Sequence, residues 1–465
     1  MNPVLLKDGP NVGKLFGSTN QDLGMACGTA LEEPLGMPSI AAAARKNFLL
    51  QGLQEIWRKH GDTQGTQVLT AGLGVLSGVL APRLLGPAGR GELAAVTLWP
   101  ITLTFFAMLG MDHAAAYFAA KGRPAESFGV APVATTCLVA GLAQSLVVVA
   151  AGMFIIPAAL MSYGPHAVHL GLFFLAGAPC VLLGHPLAGL LVGHQDMPAY
   201  NFYRLVPPTI YSLAVLALFL RHVASVRALV VFQLAGLALA TLIVARMVWA
   251  RLAPRWTWDT RIASRMLNYG VKTQAGGISN FLNQRLDQLL MTIFLPASQL
   301  GIYVAAVAFA DGLWIVPRGI GYVTLAESAN TEGEEAWRVT KRSLVLTALC
   351  LVPSAVAFWV LVPWLVPALF GAQFAGAVLP CRILIPGSCA MGMTTVLFEA
   401  ARGMNHPEIP AYAEGASLLV TVALLALLLK PYGIAGAAMA SSVAYAVTLG
   451  LTWQLLVRRT RQVKP

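Results

Sequence analysis

Long apolar blocks separated by short polar turns fill most of this chain. From Gln64 onward about twelve of them are long enough to cross a hydrocarbon core of ~30 Å. Their approximate limits are 64–85, 92–119, 128–156, 167–193, 199–220, 226–249, 267–295, 300–326, 343–370, 377–401, 409–429 and 432–456. A backbone in lipid must satisfy its own hydrogen-bonding groups, so each block is read as a helix. The pattern predicts an all-α polytopic membrane protein, and an even number of spans returns both termini to one side. Only 11% of the residues are charged, whereas a soluble chain carries roughly a quarter.

The stretch before the first span divides in two. Residues 1–38 are polar and aperiodic and read as a disordered tail. No basic segment leads into an apolar one there, so a signal peptide is not expected. In 39–60, Phe48, Leu49, Leu53, Ile56 and Trp57 recur at helical spacing among Arg45, Lys46, Arg58 and Lys59. That pattern predicts a basic amphipathic helix lying at a membrane surface.

Net charge is +11, and its distribution sets an orientation. One set of turns carries Lys121, Arg123, Arg204, Arg246, Arg251, Arg255, Arg261, Arg265, Arg338, Lys341, Arg342 and Arg402, together with the basic tail 458–465. The other carries Arg83, Arg90, Arg221, Arg227 and Lys430. The richer set is expected on the cytoplasmic side, with both termini inside. This is a topology signal rather than a nucleic-acid footprint. The most basic connector, 250–266, separates an N-lobe (61–249) from a C-lobe (267–457). An internal echo supports the division: Thr66-Gln67, Pro87-Ala88 and Gly91-Glu92-Leu93-Ala94-Ala95-Val96 correspond to Thr273-Gln274, Pro296-Ala297 and Gly301-Ile302-Tyr303-Val304-Ala305-Ala306-Val307. Parallel repeats of this kind predict two six-helix bundles about a pseudo-two-fold axis along the membrane normal, with a site between them. Pro207-Pro208, Pro317 and Pro386 are candidate kinks.

The seventh span is the polar exception. It carries Asn280, Asn283, Gln284, Arg285, Asp287 and Gln288. Ionisable groups at such depth cost ~2.5–3.5 kcal/mol each on insertion scales and generally face a cavity or a partner. Arg285 and Asp287 lie two apart, on different faces of a helix, and are poor partners for each other. Asp311 lies about ten residues into the eighth span, ~15 Å from its outer end, so Arg285 or Asp287 can sit level with it. Asp287, Asp311, Asn283 and Gln284 are therefore candidates for ion coupling or for a structural charge cluster. Arg285, Arg318 and Arg204 are candidates to cradle a pyrophosphate, because guanidinium forks match phosphate oxygens. Asp112 and His113 in the second span, and Glu399 and Arg402 three apart in the tenth, are gate candidates; an interfacial ion pair is the plainer reading of the last two. His185 and His194, in and at the end of the fourth span with Asp196 in the loop beyond, read as hydrogen-bonded structural groups.

No Walker A loop, nucleophile triad or metal-ligand cluster occurs, and no CxxC spacing links the six cysteines. No catalytic residue, cofactor or metal is expected.

Ala81-Pro82-Arg83-Leu84-Leu85-Gly86-Pro87-Ala88-Gly89-Arg90-Gly91-Glu92-Leu93 resembles the oligosaccharide (polysaccharide) flippases of bacterial envelope synthesis, which share a superfamily with multidrug and toxin extruders. Gly110-Met111-Asp112-His113, Arg285-Leu286-Asp287-Gln288 and Trp314-Ile315-Val316-Pro317-Arg318 add support, and the likeness runs over about 60–460. It implies a V-shaped transporter that carries an undecaprenyl-pyrophosphate-linked oligosaccharide from the inner to the outer leaflet of the bacterial cytoplasmic membrane by alternating access. It further implies that cationic cleft residues hold the pyrophosphate, with Arg285 at the best matching position. Membrane lipids, a polysaccharide polymerase and glycosyltransferases are the expected partners, and nucleic acid is not. Lipid II flippases carry extra C-terminal spans, which points away from a peptidoglycan role. Two alternatives stand beside this reading: a cation-coupled multidrug antiporter of the same architecture, and a non-transporting scaffold of a polysaccharide-synthesis complex.

Overall fold

A computed structural model describes residues 39–121 and 129–462, with side chains from Gly65 to Arg459 inside those ranges, Ala275 excepted. The expected tail 1–38 lies outside the described residues, as do Arg123 and residues 463–465. Residues 39–60, expected to form an amphipathic helix, are helical, but their side chains are not among those described. The chain divides at Arg58 and Lys59, and the larger unit begins at Lys59.

The described residues are helical and include no strand. In order they form α1 (Ser39–Ala107), α2 (Met111–Lys121), α3 (Val130–Leu160), α4 (Gly164–Leu175), α5 (Ala178–Gly193), α6 (Met197–Leu220), α7 (Val226–Leu252), α8 (Thr260–Phe294), α9 (Ala297–Asp311), α10 (Ile315–Ala329), α11 (Gly333–Phe370), α12 (Val378–Gly403) and α13 (Glu408–Gln462). Among the described residues eight stretches are long and apolar enough to cross a membrane, and the protein is a multi-pass membrane protein. The three longest of those stretches break near their middles, at Gly86, at Met161–Tyr163 and at Gly433. The helix α8 is long enough to span but carries too many polar residues to count among the eight.

The breaks follow from local chemistry. Gly86 (φ 67°, ψ 178°) and Gly164 (φ 86°, ψ 169°) each precede a proline. Proline pushes its predecessor to extended ψ, and positive φ there favours glycine. In the eighth span the interruption falls at Gly312–Trp314, one turn before Pro317. The donor that Pro317 lacks would have served the Leu313 carbonyl. Pro207, Pro208 and Pro386 lie inside helices that continue past them. The connector between α7 and α8 is confined to 253–259, so much of the basic segment 250–266 is helical.

Helices α2, α3, α5 and α7 pack on one another, as do α8, α9, α12 and α13 and, beside them, α10 and α11. The second limb of α1 and then α2 run antiparallel along α8. Trp99 Nε1 donates to Thr292 Oγ1 at 2.8 Å. Phe105 stacks on Phe281 at 4.3 Å, and Tyr117 on Tyr269 at 4.5 Å. Gln274 Nε2 donates to the Phe105 carbonyl at 3.0 Å.

At one end of this seam the backbones touch. A Cβ on Gly91 would lie 1.7 Å from the Ala297 carbonyl oxygen, and a Cβ on Gly301 1.9 Å from that of Pro87. Each glycine thus meets the carbonyl four residues before the other. A local two-fold relation between the segments that echo each other in sequence produces that reciprocity.

Candidate functional site: two polar faces of one helix

The polar residues of α8 separate by face. On one side Asn280 Nδ2 donates to Glu414 Oε1 at 2.8 Å, and Asn283 Nδ2 to Glu414 Oε2 at 2.5 Å. Asn283 Oδ1 accepts from Thr421 Oγ1 at 3.1 Å, and Gln284 Nε2 donates to Asn280 Oδ1 at 2.9 Å. One turn on, Asp287 accepts from Tyr303 Oη at 2.5 Å, Ser441 Oγ at 3.0 Å and the Gln288 backbone N–H at 2.7 Å. Asp287 is 4% exposed and Glu414 3%. Both carboxyls are therefore held by neutral donors from α8, α9 and α13, not by cations.

Arg285 points elsewhere and is exposed. Its Nη1 donates to Gln288 Oε1 at 3.3 Å, while Gln288 Nε2 is buried without a partner. The charges that act on Asp311 are those of Arg285, Arg318 and Asp287; Asp311 forms no direct ion pair among the described residues. Arg318 is exposed, its guanidinium 5.6 Å from the ring centre of Trp314. That indole is anchored by donating to the Ser388 carbonyl at 3.1 Å. Arg90, from the second limb of α1, has Arg285 and Tyr211 as its charge neighbours. Arg285 thus interacts electrostatically with both Asp311 and Arg90, and Arg318 with Asp311.

The other candidates have different neighbours. Arg204, on α6, sits over the Tyr200 ring at 5.5 Å. Asp112 and His113 open α2, 3.9 Å apart, and Asp112 Oδ1 is buried without a partner. Glu399 and Arg402 pair at 2.6 Å near the end of α12, with Glu399 against Gly321 of α10. Asp196 pairs with Arg251, tying the start of α6 to the end of α7. A largely apolar cavity of about 260 Å³ lies between the second limb of α1 and α4, α5 and α7, with His185 and Gln233 in its wall; Arg90, Arg285 and Arg318 do not line it. No group of three or more His, Cys, Asp or Glu residues placed to hold a metal occurs among the described residues.

Sequence reasoning missed Glu414, Tyr303, Ser441 and Thr421. A signal for the first existed: a carboxylate near one end of an otherwise apolar block, easily taken for an interfacial charge. The hydroxyls carried none, because Ser, Thr and Tyr are common in spans and only packing shows which meet a carboxylate. Removing one such donor from a buried charged group costs ~1–3 kcal/mol. Tyr303→Phe is therefore expected to lower the apparent unfolding midpoint in detergent by a few degrees, an effect of order 2–6 °C. An unchanged midpoint would show that Asp287 does not need this hydroxyl.

Residues 198–379 match the model of the polysaccharide biosynthesis protein family. A probable low-salt glycan biosynthesis flippase of Haloferax volcanii is 21% identical over 189 residues, 40% of each chain. The match thus spans well under half of that relative. Among solved structures, an inward-facing multidrug resistance transporter of the MATE family aligns with a TM-score of 0.71 at 14% identity, over 84% of this chain and 96% of its own. The lipid II flippase MurJ in an inward closed conformation also gives 0.71 at 14% identity, over 85% and 87%. An outward-facing MATE transporter gives 0.57 at 13% identity, over 87% and 94%. The chain therefore has the fold of the MOP-superfamily transporters, and its central part matches the polysaccharide biosynthesis protein family.

Proposed function

We propose that the protein flips a polyprenyl-pyrophosphate-linked oligosaccharide, of the undecaprenyl type, from the inner to the outer leaflet of a bacterial cytoplasmic membrane. It does so for surface or exopolysaccharide synthesis, by alternating access between two six-span lobes, with both termini in the cytoplasm. The eight apolar stretches, three of them folded into two crossings each, and α8 together supply the twelve crossings. The observation that carries the reading is the division of α8: neutral donors satisfy its carboxylates on one face, while Arg285 stands exposed on another with Arg318 near Asp311. Guanidiniums that no carboxylate of their own neutralises by contact suit an anionic headgroup. The lipid tail stays in the bilayer and the headgroup crosses through water. The Gly91–Gly301 crossing closes the outer side, and the Asp287–Glu414 network is where a coupling proton or cation acts. No bond of the substrate is made or broken.

An antiporter for cationic drugs fits less well, because Arg285 and Arg318 repel such substrates. The test uses the purified chain in vesicles containing a fluorescent lipid-linked oligosaccharide. Leaflet exchange well above that of empty vesicles supports the proposal. Transport of ethidium without exchange favours the antiporter. Neither activity, with co-purifying glycosyltransferases, favours a scaffold.

A further inference from the structure

We propose that Arg90 is a second anion-binding residue, which holds the diphosphate jointly with Arg285 from across the seam between α1 and α8. The inference rests on the flippase reading above and deepens it by naming the partner that completes the site.

From its place in the chain Arg90 reads as a turn residue with its charge in water. The structure puts it elsewhere. Its Nε is buried and has no hydrogen-bond partner, and its charge neighbours are another guanidinium, Arg285, and the Tyr211 phenol. Among the described residues no carboxylate pairs with it. A guanidinium does not escape by losing its proton, a buried donor without an acceptor is destabilising, and a like charge nearby adds repulsion. One ligand relieves all three: an oxyanion with several acceptor oxygens, set between the two arginines. A diphosphate offers a phosphoryl group to each fork, one on each side of the seam.

The neighbouring backbone keeps Arg90 there. Gly91 is pressed against Ala297 and Gly301 so closely that no side chain fits. While that contact lasts, Arg90 cannot withdraw along α1 into outside water. Separation of the crossing must carry Arg90 away from Arg285, so the joint site exists only in the closed state and opening weakens the hold on the headgroup.

The experiment titrates the purified full chain in detergent with inorganic pyrophosphate and, separately, with farnesyl pyrophosphate, by calorimetry. Arg90→Gln is expected to weaken binding of both about tenfold or more, the scale of one lost charge-assisted hydrogen bond, and Arg90→Lys by less. Arg382→Gln, whose guanidinium stacks on Trp359, is expected to bind as the unaltered protein does. The ligand-free melting midpoint of Arg90→Gln is expected to equal or exceed that of the unaltered protein, because repulsion is relieved; a role limited to packing would lower it. Binding unaffected by Arg90→Gln but weakened by Arg285→Gln overturns the role of Arg90 and leaves the flippase reading intact. Binding that neither substitution alters, or absence of pyrophosphate binding to the unaltered chain, overturns both. Weakening confined to farnesyl pyrophosphate places Arg90 on the lipid rather than the diphosphate and also overturns the proposal.

Discussion

Gly301→Leu is expected to stop turnover and to leave the outer side open. The reason is geometric. The first carbon of any side chain at this position would lie 1.9 Å from the Pro87 carbonyl oxygen and 2.8 Å from the Gly91 amide nitrogen. Both obstacles are backbone, so no rotamer change relieves the clash. Overpacking of a tight contact costs ~1–3 kcal/mol and occasionally more, and a leucine here belongs at the upper end. A penalty of about 2.8 kcal/mol applied only to the closed state lowers its population about a hundredfold. Spin labels on two exposed residues, His222 in the turn after α6 and Gln373 in the short 3-10 segment after α11, report the change as a longer and broader distance distribution, alongside loss of leaflet exchange. Gly91→Leu should behave alike, since its contact is the reciprocal one. Gly450→Ala meets open space and should leave turnover near its original rate. Unchanged distances and unchanged exchange in Gly301→Leu would show that this crossing is no gate.

The second large effect is expected at Arg285. Arg285→Ala should slow leaflet exchange about a hundredfold while moving the melting midpoint by no more than a degree or two. A bidentate guanidinium–phosphate contact supplies two charge-assisted hydrogen bonds of ~1.5–3 kcal/mol each, and ~2.7 kcal/mol is a hundredfold in rate. Stability should hold because Arg285 is exposed and its one side-chain hydrogen bond within the protein, to Gln288, is long at 3.3 Å. Asp287→Ala should do the reverse to stability, since it strands Tyr303 and Ser441 in a buried site. The two neighbours, two residues apart on one helix, thus differ in what their loss costs: Arg285 costs exchange alone, and Asp287 costs stability as well. Equal loss of stability in both would mean that Arg285 is structural after all.

What the sequence made legible, and what it hid, follows from how each feature is encoded. Apolar blocks report helices because lipid leaves the backbone no alternative, and the all-helical transporter fold follows from them. Proline positions announced breaks, but Pro317 acts one turn back, at Gly312–Trp314, because the missing hydrogen bond belongs to an earlier carbonyl. The clustering of Asn283, Gln284, Arg285 and Asp287 on one helix was plain, and so was the separation of Arg285 from Asp287 around it. Which hydroxyls meet Asp287, and that Glu414 faces Asn280 and Asn283, depended on the register of α13 against α8, for which one sequence gives no rule. Arg90 was hidden for a different reason. A turn residue next to a glycine is ordinarily solvated, and only the folded chain shows the Nε of this one buried without a partner.

Flipping as proposed depends on recognition of the negative charge of the headgroup. The most direct test compares, in the same vesicles, exchange of a diphosphate-linked lipid oligosaccharide with that of an otherwise identical lipid carrying a neutral linkage. We predict rapid exchange of the diphosphate lipid only, with the advantage lost in Arg285→Ala. Equal exchange of both lipids by the unaltered protein would contradict the account.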